Sequence, residues 1–140
     1  MIHFLSVSKS FHSGDEVIQV LDSADFTLPD GAFYAVTGPS GSGKSTFLNL
    51  VSGIDVPDSG AILFDDTDIA KLEEDTRTRF RGKHIAFVFQ QFHLVPSLTV
   101  AENIDLPIRL NHLTRRFDTE AILGRVGLLG KESRYPFELS

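Results

Sequence analysis

Gly38-Pro39-Ser40-Gly41-Ser42-Gly43-Lys44-Ser45-Thr46 opens with eight residues that fit the phosphate-binding pattern G-x-x-x-x-G-K-[ST]. Each part of the pattern has a physical job. Glycine has no β-carbon, so the backbone can turn tightly and aim its N–H groups inward. The N–H groups of Ser42 to Thr46 would cradle phosphate oxygens, and a following helix would add its positive dipole end. Lys44 would reach the β- and γ-phosphates as a point charge. The Ser45 hydroxyl would take one position on a Mg²⁺ ion.

The flanking residues supply the context this chemistry needs. Upstream, Ala32-Phe33-Tyr34-Ala35-Val36-Thr37 is almost fully apolar, the pattern of a strand buried on both faces. Downstream, Phe47, Leu48, Leu50, Val51 and Ile54 predict a largely buried helix that stops at Gly53. Further out, Ile2 to Val7 reads as a strand and Ser8 to Asp15 as a turn-rich loop. Val17 to Leu28 reads as one or two further strands, closed by the turn Pro29-Asp30-Gly31. Pro57 to Gly60 reads as a turn before a strand over Ala61 to Phe64. Glu73 to Arg81 reads as a charged, solvated helix. Ile85 to Phe89 reads as a second buried strand. Thr99-Val100-Ala101-Glu102 has the spacing of a capping box. Pro107 is expected to kink or end the helix that Thr99 opens. Asp118 to Val126 reads as a last helix, with Gly127 at its end.

Bulk properties remove several classes. The chain has 140 residues and a net charge of −6, so it gains nothing from the attraction that drives most nucleic-acid binding. The absence of cysteine excludes disulfides, thiolate metal sites and cysteine nucleophiles. No apolar run approaches the ~18 residues of a membrane span, and Met1-Ile2-His3-Phe4 does not read as a secretory leader. Direct membrane insertion is therefore not expected. His3, His12, His84, His93 and His112 show no ligand spacing, which argues against a zinc site.

A second motif lies downstream of the glycine-rich loop. Phe87-Val88-Phe89-Gln90-Gln91-Phe92-His93-Leu94-Val95-Pro96-Ser97-Leu98-Thr99-Val100-Ala101-Glu102-Asn103 resembles the Q-loop region of ABC-transporter ATPase subunits. The nearest likeness is to the lipoprotein-releasing and macrolide-export type, and it covers the whole chain in order. The resemblance implies an α/β P-loop NTPase fold of the ABC ATPase type. Residues 1–91 would form an antiparallel N-terminal β-subdomain with the P-loop core, and 92–140 the start of an incomplete helical subdomain. It implies ATP and Mg²⁺ as ligands, held by Gly38, Pro39, Ser40, Gly41, Ser42, Gly43, Lys44, Ser45 and Thr46. Phe11 matches the aromatic that stacks on adenine, where many relatives carry Tyr. Gln90, more than Gln91, matches the glutamine that ligates Mg²⁺ or positions water. By residue type alone, Phe11 also reads as a core aromatic and Gln90 as a polar strand end. The partners implied are a transmembrane permease subunit and a second ATPase subunit, in a homodimer or a pair. The place implied is the cytoplasmic, inner face of the cell membrane.

Tyr135-Pro136-Phe137-Glu138-Leu139-Ser140 resembles the lead-in and first two residues of the Leu-Ser-Gly-Gly-Gln signature. The family's Walker B aspartate, catalytic glutamate, D-loop and switch histidine would follow beyond Ser140. The expectation is thus a piece of a longer protein, catalytically incomplete by itself. In the family, the strands beside Ala32 to Thr37 also come from that later part, which would leave this run with unpaired edges. A competing reading is a compact P-loop phosphotransferase, with Asp65 of Ile62-Leu63-Phe64-Asp65-Asp66 as its metal-binding acid. Such a kinase would need lid arginines, for which Arg109, Arg115, Arg116 and Arg125 are the candidates, and none lies in a lid-like segment.

Overall fold

The computed structural model describes residues 1–112, 114 and 117–139. They pack as two compact units, Met1–Arg81 and a second that begins at Gly82.

The first unit is built on a four-stranded antiparallel sheet with strand order β2-β1-β3-β4. The strands are β1 (Ile2–Ser13), β2 (Glu16–Leu28), β3 (Ser59–Phe64) and β4 (Thr67–Asp68). The chain between β2 and β3 holds helix α1 (Lys44–Val51). Helix α2 (Glu74–His84) follows β4, has no buried residue, and is the solvated helix its charges predict.

Strand β1 runs well past Val7, so the expected loop over Ser8 to Asp15 shrinks to the turn Gly14-Asp15, bridged by the pair Ser13↔Glu16. The turn-favouring residues instead serve irregularities within the strands. Phe4 and Val7 are three apart, so strict alternation would put them on opposite faces. Both are buried because the register shifts between them, with Ser6 at φ 48°. The Asp25 carboxylate accepts the Ser6 N–H at 2.8 Å, so this kink leaves no orphan donor. Ser23, at φ 44°, donates its N–H to Ser8 Oγ at 2.9 Å in the same manner.

Phe4, Val7, Leu50, Ile62 and Ile69 form the buried core, with Phe26, Phe47, Val51, Phe64 and Phe80 packed around it. The expected buried α1 is only partly so. Leu50 is buried and Phe47 and Val51 face the sheet, but Leu48 is 51% exposed. The sheet covers one side of this helix, and Leu48 lines a cavity shared with Ala32 to Thr37. Gly53 ends it as expected, at φ 67°.

Ala32–Thr37 is not a strand, and neither is Ile85–Phe89. Both lack a ladder partner among the described residues, and a lone extended segment has no hydrogen bonds to hold it. The expected double burial is absent too: Phe33 is 94% exposed and Val88 fully so.

The second unit is helical, with α3 (Val100–Leu110), α4 (Thr119–Arg125) and a 3₁₀ turn at Pro136–Glu138. The capping box at Thr99 forms as predicted. The Thr99 N–H donates to Glu102 Oε2 at 2.8 Å, and the Glu102 N–H donates to Thr99 Oγ1 at 3.3 Å. The next free donors are also met, Val100 N–H by Arg134 O at 2.8 Å and Ala101 N–H by Glu132 O at 3.0 Å. Asn103 anchors the preceding loop: its Oδ1 accepts the Val95 N–H, and its Nδ2 donates to the carbonyls of Val95, Leu98 and Thr99. Pro107 does not end α3, which continues to Leu110. Proline forfeits one bond to the preceding turn, but its own carbonyl still accepts from the Asn111 N–H at 3.1 Å and Nδ2 at 2.9 Å. Asp118 caps α4, and Gly127 follows it at φ 74°. Ser140, the last residue of the signature likeness, lies outside the described residues.

The Thr99 N–H and then its hydroxyl hold the Glu102 carboxyl below the usual carboxylate range. A depressed folded pKa gives stability that is complete above the unfolded value of about 4.3 and is lost as pH falls through the lower folded value. Urea unfolding followed by circular dichroism is expected to lose more stability between about pH 6 and pH 3 in the wild type than in Glu102→Gln. Equal losses would show that the capping carboxylate contributes nothing.

Candidate functional site

The glycine-rich loop turns on three residues of positive φ, Gly38 (153°), Gly41 (79°) and Gly43 (84°). Gly43 is the position where glycine is required twice over. It is the N-cap of α1 in a left-handed conformation, and a β-carbon there would sit 2.4 Å from Val20 Cγ1. The loop therefore packs directly on β2, closer than any side chain permits. Gly43 also has no side chain to cap the helix, and the first turn of α1 holds no acid. The leading N–H groups of α1 thus have no side-chain cap and carry the positive end of the helix dipole.

Lys44 reaches back across the loop. Its Nζ donates to the carbonyls of Gly38 at 3.1 Å and Pro39 at 2.6 Å. The ammonium sits inside the ring of loop backbone, where the sequence pattern requires a cation. Ser45 is exposed at the start of α1, and Thr46 follows it half-buried.

The loop faces the β1–β2 hairpin. A cleft of about 300 Å³ lies between Phe11, Ile18 and Val20 on the hairpin side and Gly41, Gly43 and Lys44 to Thr46 on the loop side. Phe11 is 41% exposed and stands opposite Ile18 in the hairpin register. Lys44 also lines an adjoining recess of about 200 Å³ with Val20, Thr37 and Ser42. The cleft so joins an aromatic face, an aliphatic wall, a cation and a helix N-terminus. That combination suits a ligand with a flat ring at one end and anionic groups at the other.

Phe11 and the loop come together in the first unit. Gln90 and Gln91 lie in the second, exposed, in a segment without helix or strand. Ile18 and Val20 were passed over in the sequence. Their signal was the alternation of β2, which puts them on one face once the hairpin register is known.

Asp65 lies elsewhere. It occupies the two-residue turn between β3 and β4, at φ 53°, and its Oδ1 accepts from the Met1 ammonium at 2.6 Å. It lines neither cleft beside the loop. Among the other residues a phosphotransferase would use, Arg109 sits in the last turn of α3 and Arg125 in that of α4. Arg115 and Arg116 lie outside the described residues. No group of three or more His, Cys, Asp or Glu able to hold a metal occurs among the described residues.

Comparison with known proteins agrees with this geometry. The profile of the ABC transporter family matches residues 21–140. The chain is 38% identical over its whole length to 22% of the macrolide export ATP-binding/permease protein MacB of Escherichia coli. It is 36% identical over 96% of its length to 60% of the lipoprotein-releasing system ATP-binding protein LolD of Bordetella avium. Among solved structures, the dimeric post-hydrolysis state of the ATP-binding cassette MJ0796, bound to ADP and Pi, superposes with a TM-score of 0.85 at 33% identity. That superposition covers all of this chain and 63% of the other. The chain thus spans less than two thirds of the length of these relatives.

Gly43→Ala tests the close approach of loop and hairpin. The β-carbon meets Val20 and the backbone keeps a conformation strained for alanine. The expected loss is more than about 1 kcal/mol in urea unfolding. Unchanged stability would show that the loop stands off from β2.

Proposed function

The chain belongs to the ABC transporter ATP-binding family, and on that premise we propose that the cleft between Phe11 and Gly38–Thr46 binds ATP with Mg²⁺. One observation carries the reading: an exposed aromatic and an uncapped helix N-terminus with its lysine wall the same cleft. Adenine would stack on Phe11 against Ile18 and Val20. The N–H groups of Ser42 to Thr46 would donate to phosphate oxygens, and Lys44 would turn from the Gly38 and Pro39 carbonyls to the β- and γ-phosphates. The Ser45 hydroxyl lines that cleft, and it and the Gln90 amide are hard oxygen donors, which suit Mg²⁺. Bound Mg²⁺ would neutralise charge developing on the phosphates. In this reading Lys44 and Gln90 are the groups of this chain that take part in hydrolysis.

The domain roles follow the family resemblance. Residues 1–91 would carry the β-subdomain and phosphate loop, and 92–140 would begin the helical subdomain. The whole protein would hydrolyse ATP paired with a second ATPase subunit, docked on a transmembrane permease at the inner face of the membrane. Two relatives support this by name, MacB as an ATP-binding/permease protein and LolD as part of a lipoprotein-releasing system. No helix among the described residues is long and apolar enough to cross a membrane.

Two measurements test the proposal. Lys44→Ala is expected to weaken Mg-ATP binding about tenfold or more in equilibrium dialysis while far-UV circular dichroism stays unchanged. Unaltered affinity would remove the loop from the reading. Residues 1–140 alone are expected to release no phosphate from Mg-ATP, since the resemblance puts the water-orienting acid beyond Ser140. Steady turnover that vanishes in Asp65→Asn would favour the phosphotransferase instead.

A further inference from the structure

Lys9 is the only charged residue in the buried class among the described residues, at 8% exposure. Its ammonium donates to Asp55 Oδ1 at 2.9 Å and to the Val56 carbonyl at 2.8 Å. Asp58 Oδ1 lies 3.8 Å away. The same nitrogen stands 5.2 Å from the centroid of the Phe11 ring. An ammonium carries three donors, and here two point to oxygens while the ring offers a π-face to the charge. An ion pair in this place is a weak reason for stability, because an apolar side chain of the same volume often serves as well. The aromatic contact gives the charge something else to do.

Lys9 is also tied, through the turn it binds, to the C-terminal end of the phosphate-loop helix. The N–H groups of Ile54 and Asp55 donate to the Asn49 carbonyl, at 2.9 and 3.2 Å, so the Asp55–Asp58 turn is fastened to α1. Asp58 binds β1 in turn, accepting the N–H and hydroxyl of Ser10 at 2.7 Å each. The Asp58 N–H donates to the Ser8 carbonyl at 2.9 Å. Residues 8 to 10, directly before Phe11, are therefore clamped to the chain that leaves the phosphate-loop helix. The cleft takes in Phe11 but not Lys9, so the ammonium braces the ring from outside it.

We propose that Lys9 is a positioning residue for the base. It fixes the plane of the Phe11 ring and its distance from the phosphate loop, so that affinity for a purine nucleotide exceeds affinity for phosphates alone. This rests on the reading that the cleft binds ATP. The cation also draws electron density toward its own side of the ring. That leaves the cleft side better suited to an electron-rich purine.

The test measures Mg-ATP and Mg-tripolyphosphate binding by calorimetry in the full-length protein and its variants. The wild type is expected to bind both, ATP more tightly. Lys9→Met should lower ATP affinity about three- to tenfold and leave tripolyphosphate unchanged. Lys9→Arg should restore most of the ratio, because it keeps a cation over the ring. Phe11→Leu should cause a similar loss, and Lys9→Met should add nothing to it in the double variant. Lys9→Met strands the Asp55 carboxylate, so Lys9→Met/Asp55→Asn provides the same comparison in a chain without that buried charge. Equal weakening of both ligands, no weakening of either, or full additivity with Phe11→Leu would each overturn the proposal. A wild type that binds neither ligand would sink the nucleotide reading itself, whatever the variants do.

Discussion

Three phenylalanine rings hold the first unit in the shape that makes a cleft. Phe4 stacks on Phe26 with centroids 4.3 Å apart, and Phe47 closes the group at 5.6 and 5.5 Å from them. Phe4 comes from β1, Phe26 from β2 and Phe47 from the first turn of α1. The helix that carries Lys44 and Ser45 is thus docked on the hairpin that carries Phe11. Each aromatic pair adds about 0.5–1.5 kcal/mol beyond its buried area. Their geometric effect is larger, since Phe47 lies one helical turn from Lys44 and leaves the helix start little freedom against the hairpin. The Gly43 contact with Val20 is the other side of the same docking.

What could be read from the chain was local chemistry. The glycine pattern at Gly38 to Gly43, the capping box at Thr99 and Glu102, and the stops at Gly53 and Gly127 depend on neighbours within four residues, and all appear where their side chains demand. The fold family was legible because Gly38–Thr46 and the segment around Gln90 occur in order with matching surroundings. Ala32–Thr37 and Ile85–Phe89 were misread for a physical reason. Apolar content tells that a segment suits a strand, but a strand exists only when a second backbone offers its N–H and C=O groups. Phe33, Val36 and Phe87 have the right residue type and lack that backbone.

The misread second half of β1 has the opposite cause. Ser8, Ser10, Ser13 and Asp15 resemble a loop because their side chains compete for backbone hydrogen bonds, and Gly14 because it favours a turn. In the structure that competition is resolved by specific distant partners, Asp58 for Ser10 and the Ser23 N–H for Ser8. No local rule could have supplied them. Lys9 escaped notice for the same reason. A lone lysine in a polar stretch reads as solvated, and its burial shows only when the Asp55–Asp58 turn folds over it.

By its net charge of −6 the chain is a poor host for a polyphosphate, yet the charge total is the wrong quantity. At physiological ionic strength, exposed charges more than about 8 Å apart are largely screened. What a phosphate meets is set within one turn of α1. There the first turn holds no carboxylate, and the donors are backbone N–H groups and Lys44. Backbone dipoles do not titrate, so this part of the field stays constant across the pH range in which the carboxylates change. The acids at the far end of α1 are also occupied. Asp55 is paired with Lys9, and Asp58 accepts two hydrogen bonds from Ser10 and has its carboxyl held below the usual range by them. These contacts turn both carboxylates toward β1. The network that braces Phe11 thereby also directs the two acids of that turn toward donors of their own, and the acidity of the chain as a whole is compatible with an anion site at Gly43–Thr46.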